Sequence, residues 1–273
     1  MAGALVRAML VVLLVATPSL LLPGITSDAS QIVALVAIFA AALTIFEYAS
    51  VYPGLVEFRD APPFNRLRFA ALFLTVFLIA MVIRGETDES MVTRAITTFG
   101  TNIGLAIDFP YSPVRQIVLL LPEDIMYEHL ARVRTAAGIS YFVSMLALAI
   151  FYFFVRVRNW PLHNGPFNVW INLPTFDPTT GGDVVQRLER DARFNIIVGF
   201  TLPFFIPAVL KVSESIFGQV TLENPQSMIW IVAAWAFLPA SLLMRGLAMG
   251  RIAELIERKR RSSAAAQKAL QPA

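Results

Sequence analysis

Cysteine is absent from this chain, which removes disulfide staples, thiolate metal sites and cysteine nucleophiles at once. Charge is scarce too: Asp, Glu, Lys and Arg make up 15% of the residues, where soluble domains carry about 25%. Histidine occurs twice, at His129 and His163. Neither belongs to an HExxH-like or paired-histidine pattern, so both read as single surface residues and no metal site is expected. The formal net charge is +3, and most arginines flank apolar runs instead of clustering on one face. That pattern gives no nucleic-acid footprint. The turn Thr179-Thr180-Gly181-Gly182-Asp183 lacks the spacing and the lysine of a P-loop and reads as a helix N-cap. No Ser, His and acid set is visible, no cofactor is implied, and the sequence dictates no reaction.

What the chain has in quantity is apolar surface, with 57% hydrophobic residues against about 45–50% apolar residues in soluble domains. It falls into long runs. The run from Gln31 to Pro53 carries one charge, Glu47, and about 20 such residues suffice for a helix to cross a ~30 Å hydrocarbon slab. Five further runs give expected spans over 5–22, 67–83, 136–155, 194–210 and 227–246. The expectation is therefore an all-α polytopic membrane protein: a six-helix bundle over 1–250 and a basic amphipathic tail over 251–273. The first run is read as a span and not as a cleavable signal peptide, because it is long for an h-region and no small-x-small site follows it.

The connections divide into two kinds. Residues 84–135 form the longest, in which Met91, Val92, Ala95, Ile96 and Phe99 recur at helical spacing and predict an interfacial amphipathic helix. Ser112 and Pro113 then suit an N-cap and a first helical position, but that segment is too short to cross. Pro122-Glu123-Asp124 is expected to start a long helix leading into the fourth span. A second polar connection, 156–193, should end in a charged helix that continues into the fifth span.

Arginine is asymmetric across these connections. One set holds Arg7, then Arg59, Arg66 and Arg68, then Arg156, Arg158, Arg187, Arg190 and Arg193, and finally Arg251, Arg258, Lys259, Arg260 and Arg261. By the positive-inside rule this set is cytoplasmic, with both termini. Five arginines in 84–135 run against the pattern. The abundance of arginine beside three lysines (Lys211, Lys259, Lys268) suits a GC-rich bacterial coding habit, which places the protein in a bacterial inner membrane.

Glu47 is the leading functional candidate, since an ionisable group inside a span is expensive and marks an ion path or a buried pair. At ~100° per residue its side of the helix carries Ala37, Ala40, Thr44 and Ser50, with Leu35, Ile38, Ile45 and Phe46 opposite. Arg245 lies at matching depth on a small-residue side of the sixth span, so a Glu47–Arg245 ion pair is expected. Pro203 and Pro207, one turn apart in the fifth span, are candidates for a kink that frees backbone carbonyls. The tail places Ile252, Leu255 and Ile256 on one side and follows with Arg258, Lys259, Arg260 and Arg261, which are expected to contact anionic lipid. The partners implied are the bilayer and other membrane proteins or further copies of the chain. An accessory subunit, assembly factor or scaffold of a membrane complex is the leading function. A small-solute transporter or channel is the alternative, and a sensor-like input module the third.

Overall fold

In a computed structural model of the chain, residues 2–122, 124–162, 167–177, 179, 181–217 and 222–270 are described. Among them every regular element is helical. The helices are α1 (Ala2–Leu21), α2 (Ser27–Ala49), α3 (Phe64–Arg84), α4 (Met91–Ile107), α5 (Pro113–Val118), α6 (Tyr127–Val157), α7 (Val169–Asn172), α8 (Val184–Phe217) and α9 (Pro225–Leu270). Six of these, α1, α2, α3, α6, α8 and α9, are long and apolar enough to cross a membrane.

Local chemistry sets the helix ends. Thr26 caps α2 by accepting from Ala29 N, and α2 stops at Ala49, short of the expected Pro53, because the chain turns at Ser50. Ser112 accepts from Arg115 N with Pro113 at the first helical position, so α5 has the expected start. The fourth long helix begins at Tyr127 and not at Pro122, and Glu123 of that predicted start lies outside the described residues. The charged segment after Asp183 is continuous with the fifth apolar run in one helix, α8.

Three helices supply most of the interior, with Val114 and Ile117 of α5 added to it. Val76, Ile79 and Ala80 of α3, Val133, Ala136 and Ile139 of α6, and Met228, Ile229 and Val232 of α9 are fully enclosed. On α6 the small residues Ser140, Ser144 and Ala147 are all buried, which lets the neighbouring helices approach closely. α8 lies along α9 with glycines at the crossing: a Cβ on Gly199 would stand 2.8 Å from Pro239 O, and one on Gly246 2.8 Å from Ala192 O.

α2 packs chiefly on α1 and keeps the rest of its surface open. Ala37 and Glu47 are its buried residues, while Leu35, Ile38 and Phe46 are exposed. This agrees with the two faces read from the sequence.

α4 differs from the expectation in what it packs with. Its buried residues are Thr93, packed beside Gly85 at the end of α3, and Gly100 and Gly104, set against α6; Met91 and Val92 are exposed, and the Phe99 ring meets Phe142 of α6 edge-on. A Cβ on Gly138 would lie 2.5 Å from Gly104 Cα, so α4 and α6 meet backbone to backbone there.

The six long helices alternate, leaving two ends. One end gathers the start of α1, residues 50–63, the described residues of 158–183 and the end of α9. It has its own core, in which Phe58, Phe64, Phe151 and Trp160 pack together with Leu173, Leu188 and Met249. It is called the arginine-rich face below. α9 runs without a break through residue 250 into the charged tail expected over 251–273.

Candidate functional site

The arginine-rich face is organised by residues 50–63, and Glu47 turns that segment back on α2. The Glu47 carboxylate is buried and accepts from the N–H groups of Gly54, Leu55 and Val56 at 3.1, 2.9 and 3.1 Å. Arg59 closes the same turn from below, donating through Nη1 to Glu47 O at 3.0 Å and Ser50 O at 2.7 Å. These carbonyls sit at the C-terminal end of α2, where a cation is favoured by the helix dipole.

The far side of the segment is held by Asn172 of α7. Asn172 Oδ1 accepts from Asp60 N at 2.9 Å and its carbonyl from Phe58 N at 2.7 Å. Trp160 Nε1 donates to Ala61 O at 3.1 Å. Phe58, at φ 52°, occupies the left-handed region within this clamp. A bulky residue there is strained and persists where its surroundings fix it, here a fully enclosed aromatic cluster.

The expected Glu47–Arg245 pair is not formed. Arg245 instead meets Glu57, with Nε to Oε2 at 2.5 Å and Nη2 to Oε1 at 2.8 Å. Thr175 Oγ1 adds a bond to Glu57 Oε1 at 2.8 Å. The physical reason is that three amide donors already satisfy Glu47, whereas Glu57 is carried by the folded-back segment to the height of Arg245. Glu57 is the residue that sequence reasoning missed. Its partner lies 188 positions away, so only its placement among flanking arginines could have drawn notice.

Above this segment a cleft of about 1020 Å³ opens between α1, the end of α2, the start of α3, α8 and α9. Arg7, Arg59, Arg66, Arg68 and Arg245 line it, opposed by two carboxylates, Glu57 and Asp60. Neither Glu47 nor the two prolines of α8 line it. Pro203 and Pro207 are instead buried against α9. Proline at 207 has no N–H to donate to the carbonyl of residue 203, and Trp235 Nε1 fills that role at 2.9 Å. The freed carbonyl is therefore used in packing, within a helix assigned continuously from Val184 to Phe217.

The basic tail is also committed within the chain. Ile252 is buried and Ile256 packs on the core of the arginine-rich face, so part of this apolar side is covered by protein. Arg258 pairs with Glu254, Arg261 with Glu257, and Arg260 with Asp183 at 2.9 Å, while Lys259 is exposed. Asp183 also accepts from Val185 N at 2.8 Å at the start of α8. That backbone bond, and after it the Arg260 guanidinium, hold the Asp183 carboxyl below the usual aspartate range. Thr180 of the same turn lies outside the described residues, as does His163. His129 is half-buried at the opposite end.

At that opposite end the five arginines of 84–135 are each matched with a carboxylate of the same segment. Arg84 pairs with Asp88 at 2.9 Å, Arg94 with Glu89 at 2.8 Å and Arg132 with Glu86 at 2.6 Å. Arg115 and Arg134 converge on Asp108 at 2.8 and 3.6 Å.

Fold and site together define, among the described residues, a helical protein with six helices long and apolar enough to cross a membrane and an arginine-lined cleft at one end. Comparison with protein-family models, with curated proteins and with solved structures finds no match to it.

Proposed function

We propose that this is an integral protein of a bacterial inner membrane, crossing six times with its arginine-rich face in the cytoplasm. It acts through contacts, as an accessory subunit, assembly factor or scaffold of a membrane complex. The observation that carries this reading is the length of α9. Its 46 residues span about 69 Å at ~1.5 Å per residue, more than twice the ~30 Å hydrocarbon thickness. The excess emerges at the arginine-rich face, where Arg258 to Gln267 are exposed.

A helix polar on all sides gains no stability from an apolar face and depends on local ion pairs. Glu254–Arg258 and Glu257–Arg261 supply them, and Arg260–Asp183 ties the arm to the start of α8. Such a pre-ordered arm offers a partner both signs of charge with little ordering entropy left to lose. The transporter alternative needs Glu47 and the prolines of α8 to face one water-filled cavity. Glu47 holds backbone amides and Pro203 O holds Trp235, so contact is the better-supported reading.

The orientation draws support from the ion pairs as well as from the count of bases. The arginines of 84–135 are matched within their own segment, which leaves the unmatched basic charge at the other end. The test is purification of the full chain in mild detergent beside a form ending at residue 257. The expected result is a stoichiometric membrane partner that is retained by the first and lost by the second. A clean monomer or homodimer from both would contradict the proposal.

A further inference from the structure

The arginine cleft is not explained by the contact reading, and its charges are not equally occupied. Arg245 is held by Glu57. Arg59 is held by the carbonyls of α2 and by Asp60 at 3.4 Å. Arg7 donates to Gly3 O and lies over the Tyr48 ring. Arg68, like Arg7, forms no ion pair among the described residues, and unlike Arg7 it donates to no backbone carbonyl there.

The Arg68 guanidinium has two long neutral bonds, from Nε to Ser241 Oγ at 3.3 Å and from Nη1 to Asn65 Oδ1 at 3.4 Å. It is flanked by the rings of Phe64 at 5.3 Å and Phe237 at 5.8 Å. Five donors on a half-buried planar cation are far from satisfied by those two contacts. An arginine so placed is pre-organised to receive a planar or tetrahedral oxyanion, because its fork is fixed before the anion arrives. Arg66, exposed at the mouth of the same cleft, can add a second cation.

The remaining wall specifies what else the ligand carries. Leu10 and Val11 of α1, Leu202 of α8, and Leu238 and Leu242 of α9 line the cleft beyond the arginines. They belong to helices that are long and apolar enough to cross a membrane. A free inorganic anion would leave that wall in contact with water. A lipid would place its phosphate on Arg68 and its chain along the leucines, with burial of apolar area contributing about 25 cal/mol per Å².

We propose that the cleft is a binding site for an anionic phosphate-bearing lipid, one whose headgroup carries no cation, with Arg68 as the principal phosphate contact and the leucine wall of α1, α8 and α9 taking the chain. Phosphate is the shared chemistry of lipid headgroup and free ion, and the wall selects the lipid.

The test titrates the detergent-purified full chain with dioctanoyl phosphatidic acid, dioctanoyl phosphatidylcholine or inorganic phosphate, reading affinity from the shift in thermal unfolding. The expected result is saturable stabilisation by phosphatidic acid, with at least tenfold weaker affinity for the other two. Arg68→Gln should weaken phosphatidic acid by at least tenfold, while Arg94→Gln, an exposed arginine at the opposite end, should leave it unchanged. Leu238→Trp, which fills the wall and spares Arg68, keeps the test open if Arg68→Gln does not fold, and should weaken binding several-fold. Equal affinity for phosphatidic acid and inorganic phosphate would overturn the lipid assignment. Equal affinity for the two lipids, or affinity unchanged in Arg68→Gln or in Leu238→Trp, would overturn the site.

Discussion

Two glutamates ten residues apart do different work. Glu47 organises backbone, and Glu57 holds a distant arginine. Glu47→Ala would strand three N–H groups beside a buried side chain and is expected to reduce stability by about 2–4 kcal/mol. A double-mutant cycle separates the roles. Glu57→Gln with Arg245→Gln should show coupling of about 1–2 kcal/mol, since the pair is partly solvated. Glu47→Gln with Arg245→Gln should be additive within about 0.5 kcal/mol. Strong coupling in the second cycle would restore the pair that matching depth suggests.

Asp183 gives a pH dependence. Its carboxyl is lowered by the Val185 N–H and by Arg260, so its contribution is complete above the ordinary aspartate value of about 4. It is lost as pH falls through the lowered value. A spin label at Ser262 should gain mobility over that acid range in the wild type. In Asp183→Asn the same label should be mobile already at neutral pH, with no acid transition. The two faces of α2, with Glu47 on the buried one, were legible from sequence because they follow from helical periodicity. Its partners were not, since a carboxylate's choice between amides and a guanidinium depends on how residues 50–63 fold back.

Among the elements, the helix crossings are set by glycine. Gly138→Ala would push Cβ to 2.5 Å from Gly104 Cα, and backbone cannot yield as a side-chain end can. A loss of about 1–3 kcal/mol is expected, whereas Gly181→Ala, which meets nothing within 4 Å, should be neutral. In α8 the relation between Pro207 and Trp235 is testable in the same way. Trp235→Phe should cost about 1–2 kcal/mol through the stranded Pro203 carbonyl. The same substitution should cost less on a Pro207→Ala background, where residue 207 can donate to that carbonyl. Equal penalties in both backgrounds would show that the indole bond is incidental.

The six long helices were legible because an apolar run of spanning length has few other uses. The packing of α4 on α6 was less so: Met91 and Val92, which help mark α4 as amphipathic, face outward, and the close approach is made by Gly100 and Gly104. The sixth run and the tail form one helix, in which residues 247–257 pass from lining the core to bearing charge.

At the scale of the molecule, two kinds of surface lie at opposite ends. One is locally neutralised, with Glu86, Asp88, Glu89 and Asp108 matched to arginines. The other bears the cleft, the folded-back segment and the α9 arm. Both the contact reading and the lipid site require that the second end lie in the cytoplasm. The lack of cysteine makes this directly measurable, since any introduced thiol is unique. Single variants Asp28→Cys, Thr87→Cys and Ser262→Cys occupy exposed positions. They would be treated in intact cells with a membrane-impermeant maleimide, then again after the membrane is opened. Cys at 28 and 87 should label in intact cells, and Cys at 262 only after opening. Labelling of 87 and 262 from the same side would contradict the six-crossing arrangement.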